Sequence, residues 1–94
     1  MADSILSTKR RCFICRKGVW LEMHHVFGAA NREKSEKYGL KVYLCHWCHN
    51  EPPNGVHHNS NTRMFLQKEA QRKAMQHYGW TEDDFRKIFG KNYL

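Results

Sequence analysis

The chain has 94 residues, with sixteen Lys and Arg against nine Asp and Glu, a formal charge of +7 and a pI near 9.5. A single domain of that length, residues 1–94, has a small core and gains from a structural metal or another cross-link. The absence of any apolar run as long as a signal peptide or membrane span argues against secreted and membrane classes, while the basic balance favours a polyanionic partner, nucleic acid first, over a merely soluble surface.

Residues 1–11 read as a flexible basic arm ending in Lys9-Arg10-Arg11, either a solvated tail or a phosphate contact. Cys12-Phe13-Ile14-Cys15-Arg16-Lys17-Gly18 has the spacing of a zinc knuckle, in which a tight turn aims two thiolates at one ion. From Val19 to Phe27 the content predicts a strand, broken at Gly28. That strand carries the adjacent imidazoles His24 and His25, which the pleat sends to opposite faces unless the strand bends or ends there. Asn31 is placed to cap a short helix that runs to Tyr38 and stops at Gly39. Leu40 to Leu44 suits a second strand pairing with the first, and the second knuckle, Cys45-His46-Trp47-Cys48-His49, follows at once.

Pro52, Pro53 and Gly55 forbid a continuing helix, so Val56-His57-His58-Asn59 re-enters from a loop. Ser60 or Asn61 can cap a helix to about Tyr78, with Leu66, Ala70, Ala74 and Tyr78 on one stripe and Phe65 and Met75 widening it. A last helix starts at Thr81, with Asp84 completing a capping box and Trp80 and Phe85 at staple positions, and ends near Gly90. Phe85, Ile88 and Phe89 are its core face.

The two Cys-x-x-Cys pairs, Cys12/Cys15 and Cys45/Cys48, supply the four thiolates of a closed structural Zn²⁺ site, which does no catalysis. In a reducing compartment this metal role is favoured over disulfides, and over unpaired thiols or a redox pair. His24, His25, His49, His57 and His58 flank the strand ends and the loop, and point to a second, catalytic metal. His46 and His77 read as structural or exposed.

Cys-x-x-Cys, then Leu21-Glu22-Met23-His24-His25 at a strand end, then Leu44-Cys45-x-x-Cys48-His49, resembles the HNH endonucleases of the ββα-metal (His-Me finger) class, in the subgroup with a four-cysteine zinc. The resemblance covers about residues 12 to 58, and the compact basic chain is also similar to small HNH proteins encoded by phages and prophages. It implies an α+β fold: a zinc-stapled ββα-metal finger over residues 12–59, with additional C-terminal helices over 60–94. The implied activity is a metal-dependent DNA endonuclease or nickase leaving a 5′-phosphate and a 3′-hydroxyl. The implied ligands of a catalytic Mg²⁺, Mn²⁺, Ni²⁺ or Zn²⁺ are His24, His49 and His57, with His58 close behind, and His25 is the general base. DNA is the expected partner, with a homodimer or a phage protein as a further one, in the cytoplasm of a bacterial or phage-infected cell.

Lys9, Arg10, Arg11, Arg16, Lys17, Arg32 and Lys34 are the candidates for phosphate contact. One departure stands out: where the family carries its middle asparagine, this chain has Gly39, Leu40 and Lys41. Asn31, Asn50, Asn54 and Asn59 are the available substitutes for orienting His25. The departure keeps open a non-catalytic zinc-binding module that docks on DNA or protein, and beyond it a structural or virion-assembly protein.

Overall fold

The computed structural model describes residues 3–94 and orders them as β1 (Leu21–His25), α1 (Arg32–Tyr38), β2 (Lys41–Cys45), α2 (His46–Asn50), α3 (Ser60–Tyr78) and α4 (Glu82–Phe89), a small α+β fold. The two strands pair antiparallel in the register Leu21↔Cys45, Met23↔Tyr43 and His25↔Lys41. Side chains alternate across the pleat, so Glu22, His24, Val42 and Leu44 share one face while Met23, His25, Lys41 and Tyr43 share the other. Val42 and Leu44 are fully buried, which makes the first face the core face.

The first strand is shorter than the expected Val19-to-Phe27 run. Val19 and Trp20 lie outside it, Trp20 with a left-handed φ of 49° that takes the backbone out of the extended region. The exposed Trp20 ring stacks instead on Trp47 of α2, centroid to centroid 5.0 Å. Beyond His25 the ladder continues through one more bond, from Val26 N–H to the Leu40 carbonyl at 3.0 Å.

α1 fills the long connection between the strands and is pinned to the first by a buried serine. Ser35 Oγ donates to the Phe27 carbonyl at 2.7 Å and accepts from Phe27 N–H at 3.1 Å, so a helix residue and a strand-end residue satisfy each other without water. Gly39 closes α1 at φ 73°, and a Cβ there would collide with the Asp3 carbonyl. Asn31 precedes α1 without capping it; its amide donates to the Phe89 carbonyl at 2.9 Å and joins the N-terminal end of α1 to the C-terminal end of α4.

Residues 3–11 are not a free basic arm. They run along the outer edge of β2, with Ile5 N–H on the Gly39 carbonyl at 3.0 Å, Ser4 Oγ on the Lys41 carbonyl at 2.5 Å and Tyr43 N–H on Ser7 Oγ at 3.2 Å. Phe13 N–H then bonds the Tyr43 carbonyl at 2.8 Å. Unpaired strand edges cost exposed backbone groups, and this segment satisfies those of β2.

Asn59, one residue before Ser60 and two before Asn61, the two expected caps, accepts from Thr62 N–H at 3.0 Å and starts α3. Leu66, Ala70, Gln71 and Ala74 are its buried face. Phe65 departs from expectation: with successive residues turned by about 100°, it stands almost opposite the centre of that face and is exposed. Buried Gln71 ties down the C-terminus, its Nε2 donating to Asn92 Oδ1 and its Oε1 accepting from Tyr93 N–H, both at 2.7 Å. The capping box of Thr81 and Asp84 begins α4 as its spacing predicts, and Phe85 and Phe89 bury against Phe27 at centroid distances of 5.4 and 4.9 Å. Among the described residues no helix is long and apolar enough to cross a membrane.

Candidate metal centre

The hairpin brings the two cysteine knuckles together. One Sγ from each of Cys12, Cys15, Cys45 and Cys48 lies within 4.8 Å of the other three, and Cys15 Sγ stands 3.5 Å from Cys45 Sγ. Tetrahedral zinc with bonds of about 2.3 Å sets its sulfurs about 3.8 Å apart, so the spacing suits one ion. It is far longer than a disulfide, and all four thiols are free. Burial pushes the Cys12 thiol up, but backbone N–H groups of Cys15, Cys45 and Ile14 outweigh it and bring the thiol down to about 7. Cys48 goes the other way, pushed up by burial and by the neighbouring Cys45 and Cys12 sulfurs. Four thiolates at these distances repel one another and need a cation between them. The cluster can hold a structural metal such as zinc, and it lies where the first knuckle, the start of β1 and the end of β2 meet.

The second cluster forms on the core face of the hairpin. His24 comes from β1, His49 from α2 and His57 from the loop that follows. One ring nitrogen of each lies within 4.8 Å of the others, and His57 Nε2 is 3.0 Å from His49 Nε2. Backbone bonds put His57 there: Val56 N–H bonds the Cys48 carbonyl at 2.8 Å and His57 N–H the His49 carbonyl at 3.3 Å, laying the loop beside α2. Gly55 makes the turn possible, because a Cβ on it would stand 2.6 Å from the Glu51 carbonyl oxygen. His58, the neighbouring choice, is exposed and outside the cluster.

Three neutral imidazoles are a complete protein donor set for a metal that keeps an open position. Burial, and then the other two rings and His25, hold His24 down to about 4, so it is neutral and has a lone pair to offer at ordinary pH. Glu22, one strand period before His24 on the same face, faces His49 Nδ1 at 2.7 Å. Its carboxylate is held low chiefly by that bond, and a carboxylate can only accept. His49 therefore carries its hydrogen on Nδ1 and presents the Nε2 lone pair towards His57, the arrangement that metal-bound histidines adopt. Asn50 Nδ2 also donates to Glu22, at 2.9 Å. Glu22 was not among the expected site residues. The signal that could have found it is its place two residues before His24.

His25 ends β1 and does not join the cluster. It lines the same groove, of about 570 Å³, together with His24, His49, His57, Gly28, Arg32 and Arg63 among others. Its Nε2 is 2.9 Å from Glu36 Oε1, and the other oxygen of Glu36 accepts from buried Lys41 at 2.5 Å. None of Asn31, Asn50, Asn54 or Asn59 is bonded to it.

The expected basic residues divide by position. Arg32 lines the histidine groove. Lys9, Arg11 and Arg16 line a separate groove at the N-terminal segment, Arg10 lies over the Tyr43 ring at 5.7 Å, and Lys17 lies over the Trp47 ring at 5.5 Å. Lys34 is committed elsewhere, its Nζ donating to the Ile88 carbonyl at 2.6 Å. Arg63, on the first turn of α3, was not anticipated, since nothing in the sequence separates it from the other cations of that helix. Comparison with protein-family models, curated proteins and solved structures gives no match for this chain.

Proposed function

We propose that this chain is a metal-dependent DNA endonuclease or nickase of the HNH, ββα-metal type. The observation that carries the reading is the convergence of His24, His49 and His57, with Glu22 fixing the His49 tautomer, in the groove that His25 also lines. The order of the cysteine and histidine motifs along the chain supports it, as does the net charge of +7.

The residues present fit a divalent ion, because three imidazole nitrogens converge and one is already oriented by a carboxylate. Nitrogen donors favour Zn²⁺ or Ni²⁺ over Mn²⁺ and Mg²⁺, which suit oxygen ligands better. An ion held there supplies positive charge beside the phosphoryl and leaving oxygens. The chain's own part is proton transfer and positioning. Neutral His25 accepts a proton from a water molecule as the water oxygen attacks phosphorus in line. The bond to the 3′ oxygen breaks, that oxygen takes a proton from solvent, and a 5′-phosphate remains. Arg32 and Arg63 line the groove and are placed to hold the backbone phosphates. One such site per chain nicks one strand; cutting both takes a homodimer or two events.

The rival reading, a non-catalytic zinc module that docks on DNA or protein, draws on the lack of an asparagine bonded to His25. Nicking of supercoiled plasmid by wild type and His25→Ala separates them, with Mn²⁺, Ni²⁺, Zn²⁺ or Mg²⁺ added in turn and EDTA as control. The nuclease reading expects metal-dependent nicking that is lost in the variant while zinc content and fold persist. DNA binding without cleavage under any metal would replace it with the docking module.

A further inference from the structure

The His25–Glu36–Lys41 cluster is not accounted for by metal binding or by burial alone. His25 and Lys41 are direct cross-strand partners, and α1 lays Glu36 across both, one carboxylate oxygen to each. The helix that carries Glu36 is itself fixed, by Ser35 on the Phe27 backbone and by the Gly39 turn. The Lys41 side chain is only 7% exposed, so its ammonium depends on Glu36 for a partner. Lys41 and then His25 hold the Glu36 carboxyl down to about 2, so it is ionised and accepts only. The hydrogen of neutral His25 then resides on Nε2, and the lone pair is on Nδ1.

We propose that Glu36 is the positioning residue of this site: it fixes His25 in the Nε2–H tautomer with Nδ1 free to take the water proton, in place of the asparagine this chain lacks. The catalytic consequence rests on the endonuclease reading; the orientation of the ring does not. Lys41 acts through Glu36, keeping the carboxylate charged and aimed so that it braces the imidazolium formed when Nδ1 is protonated. The nitrogen–hydrogen bond gained at Nδ1 is matched by the oxygen–hydrogen bond lost from water, and the proton returns to solvent from Nδ1 after the phosphate departs.

The test combines a spectroscopic and a kinetic readout on the full-length, zinc-loaded protein. Long-range ¹H–¹⁵N correlation spectra, with His25 identified by difference against His25→Ala, report which ring nitrogen carries the hydrogen. Wild type is expected to show Nε2–H, Glu36→Ala a mixture of both tautomers, and Glu36→Gln, whose amide oxygen still accepts, mostly Nε2–H. Plasmid nicking should show kcat reduced about 10- to 100-fold in Glu36→Ala at nearly unchanged KM, with partial recovery in Glu36→Gln. Should Glu36→Ala fail to fold with Lys41 unpartnered, the double variant Glu36→Ala/Lys41→Met removes both charges and carries the same comparison. An unchanged tautomer in the alanine variant overturns the proposal, as does a kcat loss that only tracks the folded fraction. Absence of nicking by wild type overturns the endonuclease reading and the catalytic role with it, while the spectra still decide whether Glu36 holds the ring.

Discussion

Glu22 accepts a hydrogen bond from His49 Nδ1 at 2.7 Å, and the opposite nitrogen of that ring stands 3.0 Å from His57 Nε2. A carboxylate on one side of an imidazole and a second imidazole on the other is the arrangement that would orient a metal ligand from behind. Glu22→Ala should weaken metal binding at the histidines about 10- to 100-fold while leaving the cysteine site loaded. Titration of the zinc-loaded protein with Ni²⁺ or Co²⁺, followed by absorbance and calorimetry, measures this. Unchanged affinity in the variant would show that Glu22 only bridges β1 and α2.

The cysteine cluster makes a separate prediction. It joins residues 12–15 to the end of β2 across a chain of weak local structure, so metal loss should remove most of the cooperative stability. Chelation, or Cys45→Ser, should abolish the sharp thermal transition. The Trp20–Trp47 stack, 5.0 Å between centroids and beside the second knuckle, offers a local reporter. Its near-ultraviolet circular dichroism should vanish with the zinc and return on readdition. A cooperative transition that survives full chelation would mean that the aromatic core alone holds the fold.

What the sequence made legible was whatever rests on local spacing. The knuckles, the capping box at Thr81, the Gly39 and Gly90 helix ends and the opposed faces of His24 and His25 all follow from residues within a few positions of one another. The two carboxylates bonded to histidines did not, because Glu22 meets His49 of α2, and Glu36 of α1 meets His25, only once both helices pack on the hairpin. The edge-covering segment was missed for a related reason: Ser4 and Ser7 pair with β2 from 36 to 37 residues away, and the Ile5-Leu6 pair was too short a signal. Phe65 is the opposite case: its side chain is apolar, yet helical geometry turns it away from Ala70 and Ala74 and leaves it exposed.

The choice of His57 over His58 rests on the tight turn at Gly55. A Cβ at that position would come within 2.6 Å of the Glu51 carbonyl oxygen, so Gly55→Ala must shift the loop that carries His57. The expected cost is about 1–3 kcal/mol in chemical denaturation, with a larger proportional loss of metal affinity at the histidines than at the cysteines. If the variant binds the second metal like wild type, His58 or water is supplying the missing donor.

The Glu36–Lys41 pair sets a pH dependence. The carboxyl of Glu36 lies at about 2 in the folded chain against an ordinary 4.5, so the folded state binds the proton less readily than the unfolded state. Its stabilisation is therefore complete above pH 4.5 and is lost as pH falls from there towards 2. Glu36→Gln should be less stable than wild type at neutral pH, and the gap should close through that acid window. Urea midpoints of both proteins at pH 6 and at pH 3 measure it; acid loss of zinc affects both alike and drops out of the comparison. A gap that stays constant would place the benefit of Glu36 outside its charge.

Arg63 and Lys34 differ in a way that DNA binding can read. Arg63 lines the histidine groove from the first turn of α3, its guanidinium touching the protein through one bond of 3.3 Å to the Val56 carbonyl. Lys34 spends its ammonium on the Ile88 carbonyl at 2.6 Å, at the end of α4. Each lysine or arginine that neutralises a backbone phosphate adds about 0.9 to the slope of log affinity against log salt for duplex DNA. Arg63→Ala should lower that slope by about one and Arg32→Ala by a similar amount, whereas Lys34→Ala should leave it unchanged and cost only a little stability. Fluorescence anisotropy with a short labelled duplex, from low to moderate salt, gives all three slopes. The reverse ranking, with Lys34 dominant and Arg63 silent, would put the DNA on the α1–α4 side and move the phosphate away from the histidines.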